Sequence, residues 1–414
     1  MNANKLAMNG GTPVRDTPWP IWPRYAKSVK DAIARVSESE IYCSRTGREV
    51  EQFEHDFAVY HGTSDAVAVA NGTVSLQAAL AAAGIGCGDE VIVPAYTFAA
   101  TASAAVENNS IPVFVDSERC SQGLDPADVR RKITPRTRVV MPVHMNGYPC
   151  DMDAVMAIAA EHDLVVIEDC SHAHGAEHRG RKVGTIGHFG CFSLQHKKNM
   201  SVGEGGIVVT DDREVAERMR AMRTLAWADV TRNWRLGEFY GAIGREQLRL
   251  LDEGNEKRRA NATALLEALG TVEGITPLPG LPETTPVHYN LILQYDEAVW
   301  GVDRSTFVSA INAEGIPLHM FYVPVQRWPI FTKGDFFGRG CPFTCPLYED
   351  SPVDYANVST PVADEICDRV NLEIKVQPTS GPDDMRQVAE AIRKLWQNRD
   401  ELRNVERSTK QGDV

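Results

Sequence analysis

The chain reads as an α/β protein built on a mostly parallel sheet with helices on both faces. Two observations predict this. Short apolar runs that suit buried strands, Ala66–Ala70, Val91–Pro94, Pro112–Val115, Val139–Val143 and Leu164–Ile167, alternate with helix-like stretches at Val74–Ala83, Ala99–Glu107, Pro126–Ile133 and Met152–His162. Such alternation implies right-handed strand–helix–strand crossovers, which bury the strands on both faces. The second observation is that the chemically capable residues come just after the strand runs, and open α/β sheets collect ligands at the carboxyl ends of their strands.

Composition sets the outer limits. A chain of 414 residues can form about two domains. With 43% hydrophobic and 24% charged residues it has ordinary globular usage. A net charge of −13 argues against a nucleic-acid surface. Met1–Gly11 lacks an apolar signal core, and no apolar stretch is long enough to span a bilayer. An odd number of scattered cysteines, nine in all, fits reduced thiols in the cytoplasm. Cys341 and Cys345 form Cys-x3-Cys, but no second pair follows at a zinc spacing, so no metal site is expected.

In chain order, residues 1–46 read as an arm and a helix. Pro13, Pro18, Pro20 and Pro23 forbid a regular helix over Met1–Arg24, while Trp19 and Trp22 offer large apolar surfaces for packing on the body or on a partner subunit. Tyr25–Ser37 is helix-like. Residues 47–259 would form the large domain, opening on the helix Gly47–His61, where Val50, Phe53, Phe57 and Tyr60 recur at helical spacing. Residues 260–402 read as a smaller α+β domain. Its expected strands are Val287–Gln294 and Leu318–Tyr322, and its expected helices Arg304–Glu314 and Pro382–Asn398. The polar end, 403–414, reads as a frayed, flexible tail.

Asn71-Gly72-Thr73 opens a helix after the first strand run. Its backbone N–H groups and a hydroxyl make a phosphate seat, or an ordinary helix cap. Tyr96 and Phe98 follow the second run and suit stacking on a planar ring, or core packing. Glu168-Asp169-Cys170-Ser171-His172-Ala173-His174 follows another. A carboxylate there must be paired, with a protonated pyridine nitrogen or within a salt bridge. Ser193 can add its hydroxyl to the phosphate seat. Lys198 sits in a glycine-rich turn between the apolar runs Phe189–Leu194 and Gly206–Thr210. At the mouth of a buried sheet, desolvation would favour its neutral amine, the form that makes Schiff bases; on a surface loop it would be a solvated charge. A phosphate seat, a stacking ring, an acid and a lysine are the parts that pyridoxal 5′-phosphate (PLP) needs.

These residues resemble the DegT/DnrJ/EryC1/StrS family of PLP-dependent aminotransferases, from about Gly47 to Leu251 and more loosely beyond. The motifs are Asn-Gly-Thr at 71–73, Pro-Ala-Tyr-Thr-Phe at 94–98, Pro-Val-His-Met-Asn-Gly at 142–147, Glu-Asp-Cys-Ser-His-Ala-His-Gly-Ala at 168–176, Ser-x4-Lys-x4-Gly-Glu-Gly-Gly at 193–206, and Asn-Trp-Arg-Leu-Gly-Glu-Phe at 233–239. The resemblance implies the fold-type I, aspartate-aminotransferase-like architecture with a seven-stranded sheet. It implies that Lys198 rather than Lys197 binds the cofactor and shuttles the proton. Asp169 would pair with the pyridine nitrogen, His172 would contact the ring's hydroxyl side and Phe98 would stack on its face. Gly72, Thr73 and Ser193 would hold the phosphate. Asn233 and Arg235 would reach the phosphate of a neighbouring subunit, which implies a homodimer with shared sites. Tyr96, His144, His174 and Phe321 are the expected substrate contacts. The opening Asn9-Gly-Gly-Thr-Pro-Val and Trp19-Pro-Ile-Trp-Pro resemble the cyclitol branch, which aminates scyllo-inosose-type ketones. The implied activity is transfer of an amino group from glutamate or glutamine to a keto-sugar or keto-cyclitol in natural-product or sugar biosynthesis. The alternative is another PLP reaction, such as dehydration, elimination, cyclisation or the aromatisation of 3-amino-5-hydroxybenzoate synthases, which also look similar.

Overall fold

The computed structural model describes residues 5–224, 231–320, 322–334, 336–338, 340–348 and 354–403. Phe321 and the tail 404–414 therefore lie outside the described residues. Seven strands make the main sheet: β1 (Asp65–Val69), β2 (Glu90–Pro94), β3 (Ile111–Val115), β4 (Thr137–Val140), β5 (Val165–Asp169), β6 (Phe189–Ser193) and β7 (Gly206–Thr210). Their order is β1-β7-β6-β5-β4-β2-β3. The neighbours β3, β2, β4, β5 and β6 are parallel. Only β7 is reversed, antiparallel to both β6 and β1. The reason is the short segment 194–205 between β6 and β7: it holds no helix, and a parallel return needs a crossover. That segment carries Lys198.

Local chemistry places the helices close to their expected ranges. Asn71, Asp125, Asp151 and Asp212 accept N–H groups at the starts of Gly72–Ala82, Pro126–Lys132, Met152–His162 and Arg213–Arg223. The helix Gly72–Ala82 is buried almost all round, and its small residues let it pack against both the sheet and the alanine-rich helix Ala100–Glu107. This brings its first turn against β6.

A second core surrounds the antiparallel strands Ile275–Pro277, Leu291–Tyr295 and Asn371–Ile374, with Trp300, Phe307 and Leu395 fully or almost fully buried. The arm joins it: Leu6 is buried there, and the Glu314 carboxylate accepts the N–H groups of Ala7 and Val14 at 2.8 and 3.1 Å. Three details differ from expectation. Of the strand expected over Leu318–Tyr322, the described residues 318–320 and 322 are not in a strand; the Asn312 side chain takes both the N–H and the C=O of Leu318, in place of a neighbouring strand. The strand expected from Val287 begins at Leu291, because His288 adopts a φ of 47°. Arg403 is not frayed: it ends a helical turn and donates to the Trp300 carbonyl at 3.0 Å. The 259/260 position falls inside the helix Leu251–Leu269. Among the described residues, no helix is long and apolar enough to cross a membrane.

The tightest point of the sheet edge is where β7 meets the turn before Gly72–Ala82. A Cβ on Gly206 would collide with the Asn71 carbonyl oxygen. Gly206→Ala is expected to cost about 1–3 kcal/mol of stability, read as a lower urea midpoint.

Candidate active site

The carboxyl ends of β1, β2, β5 and β6 open into a cavity of about 1170 Å³. Lys198, Asp169, His172, Phe98, Ser193, Gly72 and Thr73 all line it, so residues far apart in sequence meet at one edge. The Lys198 loop is fixed by its backbone. Its N–H donates to Gln195 O at 2.8 Å and its carbonyl accepts the Trp22 indole N–H at 3.3 Å. Burial pushes the Lys198 amine down to about 8, with Asp169 opposing the shift and Lys375 adding to it. The amine lies 5.1 Å from the Tyr289 ring centroid.

Asp169 is held by two hydrogen bonds. Thr101 donates to its Oδ2 at 2.9 Å and the Ser171 N–H to its Oδ1 at 3.1 Å. His172 stacks on Tyr289, centroids 4.1 Å apart and 8° from parallel. Its Nδ1 accepts the Asn146 N–H at 3.3 Å, which places the proton of the neutral ring on Nε2. Burial, then the Lys198 charge, keeps His172 well below the usual imidazole range. Phe98 is 46% exposed at the cavity, an unusual position for so large an apolar ring.

At the far end, a helix start meets a serine. The Asn71 side chain takes the Val74 N–H, leaving the cavity-lining Gly72 and Thr73 as the first helical residues, whose N–H groups have no acceptor within the helix. A Cβ on Gly72 would lie 2.5 Å from Ser193 Cβ, so glycine is required for this approach.

Residues 23–393 match the model of the DegT/DnrJ/EryC1/StrS aminotransferase family. The chain belongs to this family. It is 37% identical to an L-glutamine:2-deoxy-scyllo-inosose aminotransferase of Streptoalloteichus tenebrarius, over 96% of this chain and 99% of that one. It is 36% identical to a protein of the same name from Micromonospora echinospora, over 96% and 99%. Among solved structures, an aminotransferase of Psychrobacter cryohalolentis superposes with a TM-score of 0.83 at 31% identity, over 92% of this chain and 99% of that one. 3-Amino-5-hydroxybenzoic acid synthase does so at 0.79 and 32%, over 90% and 97%. The protein is an aminotransferase of fold type I.

In this aminotransferase several expected site residues stand elsewhere. His144 is fully buried, with Nε2 3.0 Å from Glu168 and Nδ1 accepting the Cys150 N–H. Glu168 also accepts the N–H groups of Gly184, Ile186 and Gly187. Burial works against the Glu168 charge, yet His144 and these N–H groups hold its carboxyl below the usual range. The pair is a clamp beneath β5 rather than a substrate contact; the Cys170 thiol joins it within 4.8 Å. His174 packs 5.4 Å from Phe192, where burial pushes it down to about 3. Tyr96 is 1% exposed, and its hydroxyl accepts from Asn146 and Asn371. None of the three lines the cavity. Asn233 is exposed, and Arg235 has a buried Nη1 with no partner among the described residues; neither lines the cavity of its own chain. Sequence reasoning missed Thr101, Tyr289, Asn290, Glu373 and Lys375. Glu373, Lys375 and Gln377 gave a signal, three polar residues on one face of a strand run.

The Lys198 amine of the ligand-free protein is expected to react with an acylating reagent with a midpoint near pH 8, mapped by peptide mass spectrometry. Asp169→Asn removes a nearby negative charge and should move that midpoint down; Lys375→Met removes a positive charge and should move it up.

Proposed function

We propose that the chain is a PLP-dependent aminotransferase that moves an amino group from glutamine or glutamate to a keto-cyclitol of the scyllo-inosose type, in aminoglycoside-like biosynthesis. One observation carries the reading: a cavity-facing lysine with an amine near pH 8, within electrostatic reach of a hydrogen-bonded carboxylate. The names of the relatives support the donor and the ketone class. The site fits PLP in its donor set. Gly72, Thr73 and Ser193 would hold a phosphate, Asp169 a protonated ring nitrogen, His172 the ring hydroxyl through its Nε2–H, and Phe98 a ring face.

When bound, PLP supplies an aldehyde that captures amino groups and a ring that accepts the electron pair left at the donor's α-carbon. The chain's residues do the rest. Lys198 Nζ, whose neutral form burial favours, removes the α-proton and returns it. The Asp169 carboxylate, oriented by Thr101 and the Ser171 N–H, keeps a proton on the ring nitrogen. Trp22 and Tyr289 narrow the cavity and exclude water around the amine. Donor and acceptor use the same cavity in turn, so ping-pong kinetics are expected. We also place the enzyme in the cytoplasm, supported by nine unpaired cysteines.

We further propose a homodimer in which Asn233 and Arg235 complete the partner's phosphate seat. The unpartnered Arg235 Nη1 supports this. The likeness to 3-amino-5-hydroxybenzoic acid synthase supports a second reading, a non-transaminating reaction on the same machinery. Stoichiometric release of the donor's 2-oxo acid would decide against it.

Lys198→Ala should abolish both the yellow chromophore and turnover, followed by absorbance and product analysis; an active variant overturns the assignment. Lys198→Ala and Arg235→Ala subunits, each inactive alone, should regain about a quarter of wild-type activity after equal mixing and reassociation, because half the dimers would carry one intact site.

A further inference from the structure

Two further lysines line this cavity, and the steps above leave both unused: Lys197 is exposed, and Lys375 is half-buried. Glu373, Lys375 and Gln377 alternate along the strand Asn371–Ile374 and its continuation, so all three line the cavity. Lys375 Nζ lies 4.7 Å from the Tyr289 ring centroid, and Lys198 Nζ 5.1 Å from the same centroid. The two amines are no farther apart than these distances together.

The setting of Lys375 is that of an anion site. Asn290 Oδ1 accepts from its Nζ at 2.6 Å, the one hydrogen bond it makes among the described residues. Asn290 Nδ2 donates to Glu373 Oε2 at 3.0 Å and to Asn146 Oδ1 at 2.8 Å, which fixes the amide. Glu373 stands beyond Asn290 and supports the positive charge without capping it. Burial pushes Lys375 down to about 8; Glu373, itself raised to about 7 by burial, opposes the shift, and Lys197 and Arg258 add to it. A half-buried ammonium has three protons to place, and an incoming anion is the partner that offsets its desolvation.

We propose that Lys375, aimed by Asn290, holds the α-carboxylate of the amino-acid donor. The proposal rests on the aminotransferase reading of this cavity. An α-amino acid keeps its carboxylate oxygens about 3 Å from its nitrogen, and a charge-assisted hydrogen bond adds about 2.8 Å. An ammonium about 6 Å from the reacting nitrogen can therefore grip a donor, which lies within the limit that Tyr289 sets. A keto-cyclitol carries hydroxyls and no anion, so Lys375 serves one half of the reaction and not the other.

Separate stopped-flow measurement of the two half-reactions tests this in the holoenzyme. Measured well above the Lys198 midpoint of both proteins, so that its shift in the variant does not enter, Lys375→Met should lower the second-order rate constant with glutamine about ten- to a hundredfold, and change that of the pyridoxamine form with a keto-cyclitol by less than about threefold. Lys375→Arg should restore most of the loss, and Lys375→Gln serves if the methionine variant folds poorly. Calorimetric titration with glutaramate, which is glutamine without its α-amino group, gives a readout independent of turnover; its Kd should weaken about tenfold or more in Lys375→Met. Equal slowing of both half-reactions, or unchanged glutaramate binding, overturns the proposal. If wild-type protein itself shows no spectral change with any amino donor, the aminotransferase reading falls first, and this proposal with it.

Discussion

The structure depends on one electrostatic relation, an amine and a carboxylate sharing a half-dry sheet edge. Burial drives Lys198 toward neutrality, and Asp169 pulls it back toward charge. The balance, near pH 8, leaves an amine that can gain or lose a proton at modest cost. Neither partner could hold this position alone. An unpaired carboxylate at the end of a buried strand would be expensive, and Asp169 is stabilised by Thr101 and the Ser171 N–H as well as by the lysine's charge. The strand itself is pinned, since Asp169 N–H donates to Pro142 O and Asp169 O accepts from His144 N–H.

That relation is held by backbone approach as much as by side chains. The turn before Gly72–Ala82 touches both β6 and β7, and a Cβ at either Gly72 or Gly206 would force it away. The same compression carries Ser193 to the helix start. On the other side, the Trp22 indole is bonded to the Lys198 carbonyl, with the Arg258 guanidinium 4.6 Å from its ring centroid. The amino-terminal arm is thus part of the site's wall and not a decoration of the surface.

Tyr289 links the two cores. It comes just before the strand Leu291–Tyr295 of the second sheet, stacks on His172 from the first, and lies near Lys198 and Lys375. Through it, a sheet of 371–374 and 291–295 contributes to a site whose acid and lysine belong to the large sheet. The cavity therefore needs both cores assembled.

The alternation of apolar runs and helical stretches was enough to place the main strands and their helices within a few residues, because a 2.0 or 3.6 period is a local property of the chain. The family motif singled out Lys198 over Lys197; both line the cavity, Lys198 half-buried and Lys197 exposed. Direction was not legible in the same way. His144 and His172 both follow strand runs, yet one clamps Glu168 below the strand and the other stacks in the cavity. Residue type and position could not distinguish them, since a side chain's facing depends on the turn that carries it. Nor could sequence bring Lys375 beside Lys198 across so much chain, for that proximity exists only once the two sheets pack. The order of residues determined the family and the sheet; the folded packing alone decided which histidine lines the cavity and that Lys375 shares it with Lys198, because desolvation and contact are properties of neighbours in space.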